Sequence, residues 1–289
     1  MTVADRRAVP KSPPRNAARW QGWFRTVALL AFVFLFLTPL LFAVMVAFKT
    51  PEEQAANPIG LPGALRLDNF ALVIGQLNYW RLVLNTASVT LLSSVLTLLV
   101  ASLAAFPLAR VQARWTEWVY NLFILGLTLP FFVLLIPLYI LSRDLGLLNT
   151  LWGAALVYSG IMMPFAVFFL TGFVRSLPIE LEEASAIDGC TPLGTFRYVI
   201  LPLLRPANGT LAMFVALTVW NDLILSLLFF TRPESGTLTP ALYGFLGQWT
   251  TDYTLLLAAA LLASAPLLVF FFALQRQIIE GVAAGAVKG

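Results

Sequence analysis

The sequence contains no histidine, only one cysteine and few charged residues, which make up 11% of the chain. The absence of histidine excludes a histidine general base, a Ser-His-Asp triad and any zinc site with a histidine ligand. The single cysteine, Cys190, allows neither a disulfide framework nor a thiolate metal cluster. Because soluble proteins contain about 25% charged residues, this chain lacks the polar residues that a compact soluble surface requires.

Apolar residues take up the remaining length. They form 60% of the 289 residues, and the mean hydropathy is +0.86. Stretches about long enough to cross a bilayer as a helix cover residues 26–48, 83–105, 119–142, 152–174, 211–230 and 254–274. They predict an all-α, polytopic membrane protein with six transmembrane helices. The first stretch is too long for a signal peptide and no small-residue cleavage site follows it, so we expect it to be retained.

The distribution of lysine and arginine predicts which segments face the cytoplasm. Thirteen of the 18 lie in the basic tail 1–25, the loop between spans two and three, the loop 175–210 and the tail 275–289. By the positive-inside rule, we expect both termini in the cytoplasm and the loops 49–82 and 231–253 outside. The net charge of +4 favours contact with anionic membrane lipid, whereas nucleic-acid binding would need a clustered basic face.

The long inner loop carries the signals of two short helices. Pro178 suits a first helical turn, where its missing N–H is not needed. Near this N-terminus, where the helix dipole favours negative charge, the chain places Glu180, Glu182 and Glu183. Gly189 is a natural C-terminal stop. Thr191 and Pro192 then provide the N-cap and first turn of a second helix, which Pro202 should end or kink.

The first of these helices has one narrow apolar face, formed by Leu177, Leu181 and Ala184 at helical spacing. The face is too small for a core of its own, so it must be buried against something else. Two partners fit the composition: the membrane surface, on which the hairpin would lie, or another protein.

A spaced motif runs through the same loop and consists of Glu183, Ala184, Ser185, Gly189, Val199, Leu201 and Pro202. It resembles the EAA loop of ABC-importer permeases, whose pattern is Glu-Ala-Ala, three residues, Gly, nine residues, then Ile-x-Leu-Pro. This chain departs from the pattern at Ser185 and Val199, and both departures keep the side chains close in size. Segments from about residue 25 onward resemble the carbohydrate (MalG-like) permeases, among them Phe48-Lys49-Thr50, Asn149-Thr150, Trp220-Asn221-Asp222 and Gly285-Ala286-Val287-Lys288-Gly289.

The resemblance implies a type I ABC importer permease fold in a bacterial inner membrane, with this chain forming half of the translocation pore. The implied solute is a sugar or related carbohydrate, such as an oligosaccharide, polyol or glycoside. The implied partners are a second, MalF-like permease subunit in a heterodimer, two copies of an ABC ATPase and an extracytoplasmic solute-binding protein.

In that scheme the loop docks into the ATPase and couples its movement to alternating access. The implied coupling residues are Glu180, Glu183, Ala184, Ser185, Asp188, Gly189, Leu201 and Pro202. Glu183 would pair with basic ATPase residues. The chain contains no Gly-x-x-x-x-Gly-Lys-Ser/Thr phosphate-binding stretch, so we expect no bound cofactor and no catalytic residues here. ATP and magnesium would be used by the partner ATPase.

Asp222 is the one acid predicted to lie within a span, where its burial costs about 2.5–3.5 kcal/mol. We therefore expect Asp222, with Trp220 and Asn221, to line the translocation path. Alternatively, Asp222 caps a broken helix or pairs with Asn221 across the bundle.

Two other functions remain open at this point. A permease of the same type could carry a non-sugar solute. An ion-driven secondary transporter would need inverted repeats and paired broken helices with acids near the midplane, whereas this sequence has one membrane acid and no convincing internal repeat.

Overall fold

The computed structural model describes residues 15–246 and 252–286, which are helical and contain no β-strand. The predicted all-α class is confirmed. The first seven helices are α1 (Arg15–Ala47), α2 (Pro51–Ala56), α3 (Asp68–Gln76), α4 (Tyr79–Arg110), α5 (Arg114–Thr128), α6 (Phe131–Asp144) and α7 (Leu151–Ser176). They are followed by α8 (Glu180–Ile187), α9 (Pro192–Thr195), α10 (Leu201–Leu203), α11 (Arg205–Trp220), α12 (Ile224–Phe229), α13 (Leu238–Leu242) and α14 (Tyr253–Ala286).

Three of the predicted segments extend beyond the described residues. Residues 1–14 of the basic tail lie outside them, as do residues 247–251 of the loop 231–253. The last three residues of the tail 275–289, which end the glycine-rich segment, also lie outside.

Four single helices are long and apolar enough to cross a membrane: Trp23–Ala47 within α1, α4, α7 and Tyr253–Ala273 within α14. Two bent pairs meet the same criterion, α5 with α6 and the segment Pro192–Leu203 with α11. With each pair counted as one span, the described chain has up to six. The polytopic membrane architecture is therefore confirmed.

The third apolar stretch, 119–142, does not form one continuous helix. Instead, α5 and α6 meet at an angle of 105°. Leu129 has φ −75° and ψ 123°, the extended conformation that a following proline favours. Pro130 then precedes the first residue of α6. The steric demand of Pro130 on Leu129 accounts for a complete break rather than a bend.

The fifth stretch, 211–230, is also discontinuous, as the alternative of a broken helix at Asp222 allows. Helix α11 begins earlier, at Arg205, and ends at Trp220, and the short α12 starts at Ile224. Between them the Asp222 carboxylate accepts a hydrogen bond from the Ser226 backbone N–H at 2.9 Å. A short acidic side chain competes for backbone N–H groups in this way at the start of a helix.

The core forms where α4 packs along α7. Every fourth residue on one face of α4 is small and fully buried: Ser93, Thr97, Ala101 and Ala105. Small residues at this spacing let two membrane helices approach closely. The Ser159 hydroxyl of α7 shares its proton between the Ala155 carbonyl of its own helix, at 2.7 Å, and the Ser93 carbonyl of α4, at 3.2 Å, which links the two helices. By contrast, α1 contacts the bundle through α14 and leaves most of its apolar side chains exposed.

A buried lysine organises the segment between α1 and α4. Lys49 is 1% exposed, and its ammonium donates to the carbonyl oxygens of Asn57 and Pro58 at 2.8 and 3.3 Å. Both carbonyls lie just beyond the C-terminus of α2, where the helix dipole favours a cation. The buried Asn69 side chain donates to the carbonyls of Ala47 and Lys49, both at 2.8 Å. Together these two side chains attach α2 and α3 to the end of α1.

Replacing Lys49 by Met removes the ammonium while keeping the side-chain length. We expect the carbonyls of Asn57 and Pro58 to lose their donor, destabilising this segment by about 1–3 kcal/mol. Hydrogen exchange of the purified chain should then be faster in α2. The exposed Arg66 of the same loop provides the control, because Arg66→Met should leave the exchange of α2 unchanged. Equal exchange in wild type and Lys49→Met would contradict this role.

Candidate functional site

The long loop after α7 folds as a helical hairpin, residues 177–204, with a defined turn at Gly189. Gly189 has φ +85°, a left-handed conformation that glycine adopts without strain. The Cys190 N–H bonds to the Ser185 carbonyl and the Gly189 N–H to the Ala186 carbonyl, both at 3.0 Å. This is the Schellman pattern that closes a helix C-terminus. The predicted end of the first helix at Gly189 is confirmed, and these two hydrogen bonds define the geometry of the turn.

The second arm begins where the sequence predicts. The Thr191 hydroxyl accepts a hydrogen bond from the Gly194 N–H at 3.2 Å, and Pro192 occupies the first helical position. Farther along, residues Phe196–Ile200 form a π-helical turn in which the Leu201 N–H bonds to the Phe196 carbonyl. Such a wider turn makes room for Pro202, which has no N–H and would otherwise clash with the preceding turn.

The second arm does not end at Pro202 but continues to Leu203, and the chain then turns by 69° into α11. Ile200 and Leu204 are fully buried in the hydrophobic core at this bend. The second arm is therefore packed into the core and continues directly into α11.

Ser185 joins the two arms. It is 6% exposed, Thr195 of the second arm is 5% exposed, and their hydroxyl oxygens lie 2.7 Å apart. Because the Ser185 hydroxyl donates its proton to the Glu182 carbonyl at 2.8 Å, Thr195 is the donor between the two. Serine in place of the second alanine of the EAA pattern thus has a structural reason, which the sequence does not reveal.

Arg110, the last residue of α4, connects the first arm to the bundle. Its guanidinium pairs with Glu182 at 2.6 Å and donates to the Leu177 carbonyl at 2.9 Å. Both side chains of the pair are only about one-sixth exposed. Arg175 lies 4.5 Å from the ring centre of Tyr120, on α5. In the sequence, Arg110 and Arg175 serve only as signals of topology, and nothing there indicates these contacts.

The predicted apolar face of the first arm is divided between the core and the surface of this chain. Leu177 packs against the core, whereas Leu181 and Ala184 are exposed. The most exposed aliphatic side chains of the hairpin are Ile187 and Leu193, at 87% and 70%. These two residues flank the Gly189 turn, so the tip of the hairpin is an uncovered apolar surface.

The structure brings all eight predicted coupling residues together in this hairpin. Ser185 is buried and Gly189 forms the turn. The side chains that remain exposed belong to Glu180, Glu183, Ala184, Asp188, Leu201 and Pro202. The exposed carboxylates and the apolar tip form a surface able to bind a partner with basic and apolar groups.

A second polar cluster surrounds the break between α11 and α12. The Asp222 carboxylate accepts hydrogen bonds from the Tyr158 hydroxyl at 2.8 Å and from the Ser226 N–H at 2.9 Å. The Tyr158 hydroxyl lies 3.0 Å from the Ser226 hydroxyl. Asp222 therefore caps the broken helix, one of the alternatives that the sequence left open. Nothing in the sequence pattern around Asp222 indicates that Tyr158 and Ser226 lie near it.

The other two predicted path residues have different environments. Trp220 is 7% exposed, and its indole N–H donates to the Ala263 carbonyl of α14 at 3.1 Å. Within this chain it is therefore a packing residue rather than one that faces open space. Asn221 is exposed and donates to the Leu217 carbonyl at 2.9 Å. Among the residues that the structure describes, no cluster of three or more metal-ligating side chains is found.

The chain matches a known protein family and is similar to several known proteins. The profile of the family described as "Binding-protein-dependent transport system inner membrane component" matches residues 97–283. The chain is 34% identical over 268 residues to the diacetylchitobiose uptake system permease protein DasC of Streptomyces coelicolor, covering 92% of this chain and 97% of that protein. It is 33% identical over 252 residues to the melibiose/raffinose/stachyose import permease protein MelC of Bacillus subtilis, covering 87% and 91%.

Solved structures show the same fold. A bacterial ABC transporter involved in the import of the acidic polysaccharide alginate contains a chain that matches with a TM-score of 0.77 at 19% identity. The match covers 93% of this chain and all of the other. A chain of the MetNI methionine ABC transporter, in an inward-facing conformation, matches 68% of this chain with a TM-score of 0.52 at 20% identity.

The Arg110–Glu182 pair should hold the first arm against α4. Replacing Arg110 or Glu182 by Gln is expected to raise the opening equilibrium of α8 about tenfold or more, because a charge-assisted bond contributes about 1.5–3 kcal/mol. Hydrogen exchange of the α8 amides measures this equilibrium. The double variant should exchange little faster than Arg110→Gln alone, because Arg110→Gln already removes the ion pair together with the bond to the Leu177 carbonyl. Arg143→Gln, which breaks the exposed pair with Asp144, should have no effect on α8.

Proposed function

The chain belongs to the family of binding-protein-dependent transport system inner membrane components, and from this premise we propose that it is the permease subunit of an ABC importer of carbohydrates. The observation that carries the proposal is its similarity to sugar permeases along nearly their whole length. Relatives at 31–34% identity are named for the uptake of diacetylchitobiose, of melibiose, raffinose and stachyose, and of arabinooligosaccharides. The chain is thus a transport subunit rather than an enzyme.

We further propose that the helical hairpin is the contact through which an ATPase moves this subunit. Its rigidity supports this role, because the Gly189 turn, the Ser185–Thr195 contact and the Arg110–Glu182 pair hold both arms. A rigid element can transmit a rigid-body movement, whereas a flexible loop would absorb it. The apolar tip and the exposed carboxylates supply a surface for docking, with Glu183 facing basic groups of the ATPase.

The proposed assembly contains a second, MalF-like permease subunit, two ATPase copies that use ATP and magnesium, and an extracytoplasmic solute-binding protein. In this arrangement the hairpin and both termini lie on the cytoplasmic side. The excess of lysine and arginine in these segments supports that orientation. The loops 49–82 and 231–253 then face the binding protein.

The translocation path is proposed to run past the break between α11 and α12. A broken helix leaves backbone groups free of the regular ladder, which membrane proteins tolerate only where protein or a water-filled cavity surrounds them. Asn221 is exposed at this break, and Asp222 holds the start of α12. Trp220 supports the site from behind by packing on α14.

Changing the apolar tip should uncouple transport from ATP hydrolysis. Ile187→Glu places a charge on a highly exposed position, so the subunit should fold normally but bind the ATPase at least tenfold more weakly. Solute-stimulated ATPase activity of the reconstituted complex measures the effect. Ile59 is 81% exposed in the loop 49–82, which is proposed to lie on the other side of the membrane, and Ile59→Glu should leave the affinity for the ATPase unchanged. The purified chain alone should hydrolyse no ATP. ATP hydrolysis by a clean preparation would contradict the proposal that a separate ATPase drives transport.

Asp222→Ala should lower uptake strongly, by about tenfold or more, because it removes both the cap of α12 and a polar group beside the path. Tyr158→Phe breaks one of the two bonds to Asp222 but keeps the carboxylate, and it should retain more uptake. Uptake of labelled sugar into proteoliposomes, normalised to folded complex, gives the comparison. Wild-type uptake by Asp222→Ala would remove Asp222 from the mechanism.

A further inference from the structure

A cavity of about 430 Å³ lies at the end of α4 remote from the hairpin, between the start of that helix and residues 230–241. The distance along α4 from Arg81, beside this cavity, to Arg110, beside the hairpin, is about 40 Å. The cavity is as large as many small-ligand sites. No residue of the coupling surface lies in it, and neither does Asp222.

Apart from Thr231, whose hydroxyl bonds to the Asn149 side chain, the polar side chains that line this cavity lack partners. The side chains of Gln76, Asn78, Arg81 and Arg232 are exposed and make no hydrogen bond or ion pair to any residue that the structure describes. Exposed arginines are often solvated in this way, so a fifth, buried residue of the cavity, Thr237, is more informative. Thr237 is 5% exposed, and its buried hydroxyl has no hydrogen-bond partner in the described part of the chain.

An unpartnered buried hydroxyl is costly and calls for an explanation. The neighbouring residue does not supply a partner, since the Leu238 N–H donates instead to the Thr86 hydroxyl at 2.9 Å. A group entering the cavity beside Thr237 could satisfy the hydroxyl. The orphaned hydroxyl is thus a second polar feature of the cavity, separate from the two arginines.

The cavity is built on a fixed loop. The Asn149 side-chain oxygen accepts hydrogen bonds from the backbone N–H groups of Thr231 and Arg232, at 2.8 and 3.0 Å. The Asn85 side chain donates to the carbonyls of Glu234 and Gly236, both at 2.9 Å. Because these contacts hold the backbone on both sides of Pro233, the Arg232 side chain extends from a constrained position. A preformed site of this kind loses less entropy when a ligand binds.

Two guanidinium groups with amide and hydroxyl neighbours suit an oxyanion, and guanidinium matches the planar carboxylate with two parallel hydrogen bonds. We infer that the cavity between Arg81 and Arg232 is a binding site for a carboxylate group. The group comes either from a sugar acid in solution or from an aspartate or glutamate of the docking solute-binding protein. The second source rests on the proposed function, whereas the first does not.

The first experiment uses the full chain in lipid nanodiscs, with glucuronate as the probe and glucose as the matched neutral sugar. A site for a free acid predicts that glucuronate raises the thermal midpoint and glucose does not. Arg81→Gln and Arg232→Gln should each weaken glucuronate binding at least tenfold, and Thr237→Val severalfold. Arg143→Gln, a change to an exposed arginine outside the cavity, should bind like wild type. Inorganic phosphate binding as tightly as glucuronate would overturn the assignment to a carboxylate.

The second experiment uses the complete transporter with its solute-binding protein. It measures the concentration of binding protein at which ATP hydrolysis is stimulated half-maximally. If the carboxylate belongs to the protein, Arg81→Gln and Arg232→Gln raise this concentration at least tenfold at low salt, and high salt removes the difference. Arg143→Gln again serves as the control.

The inference fails if the two arginine variants match wild type in both experiments. A wild-type complex that no binding protein stimulates would count against the proposed function, and the glucuronate titration would then decide the inference alone.

Discussion

Backbone polar groups cannot remain unpaired in an apolar environment, and this constraint governs where the chain departs from regular helix. Two of these departures have local partners. At the break after α11, the Asp222 carboxylate accepts a hydrogen bond from the Ser226 N–H. At the hairpin turn, the N–H groups of Gly189 and Cys190 bond to carbonyls of α8. At both sites another acceptor replaces the lost helical bond.

Helix α11 connects the two regions to which we assign function. It starts at the bend below the buried Leu204 and ends at Trp220, beside the break that Asp222 caps. Its 16 residues correspond to about 24 Å of rigid helix. In the proposed mechanism, a displacement of the hairpin would be transferred to the Asp222 region through this one continuous element, without a chain of side-chain rearrangements.

Helix α4 holds the remaining parts in register. Its small buried residues allow close contact with α7, and its last residue, Arg110, anchors the first arm of the hairpin. At its opposite end, Asn85 and Thr86 bind the loop that carries Arg232 and Thr237. The two ends differ in charge pairing: Arg110 has a carboxylate partner, whereas Arg81 has none among the described residues. This contrast is what separates an internal structural contact from a candidate binding site.

The sequence by itself determined the membrane class, the approximate apolar segments and the local turn of the hairpin. These features depend on composition or on neighbouring residues: Gly189 adopts a left-handed conformation, and Thr191 with Pro192 starts a helix, whatever lies elsewhere in the chain. Only the tertiary structure decided that Arg110 meets Glu182, 72 positions later, and that Tyr158 meets Asp222, 64 positions later. Such contacts depend on how α4, α7 and α11 pack. For the same reason the sequence could not reveal that Trp220 is buried or that Ile187, rather than Leu177, lies uncovered at the tip, because burial depends on which helix covers a residue.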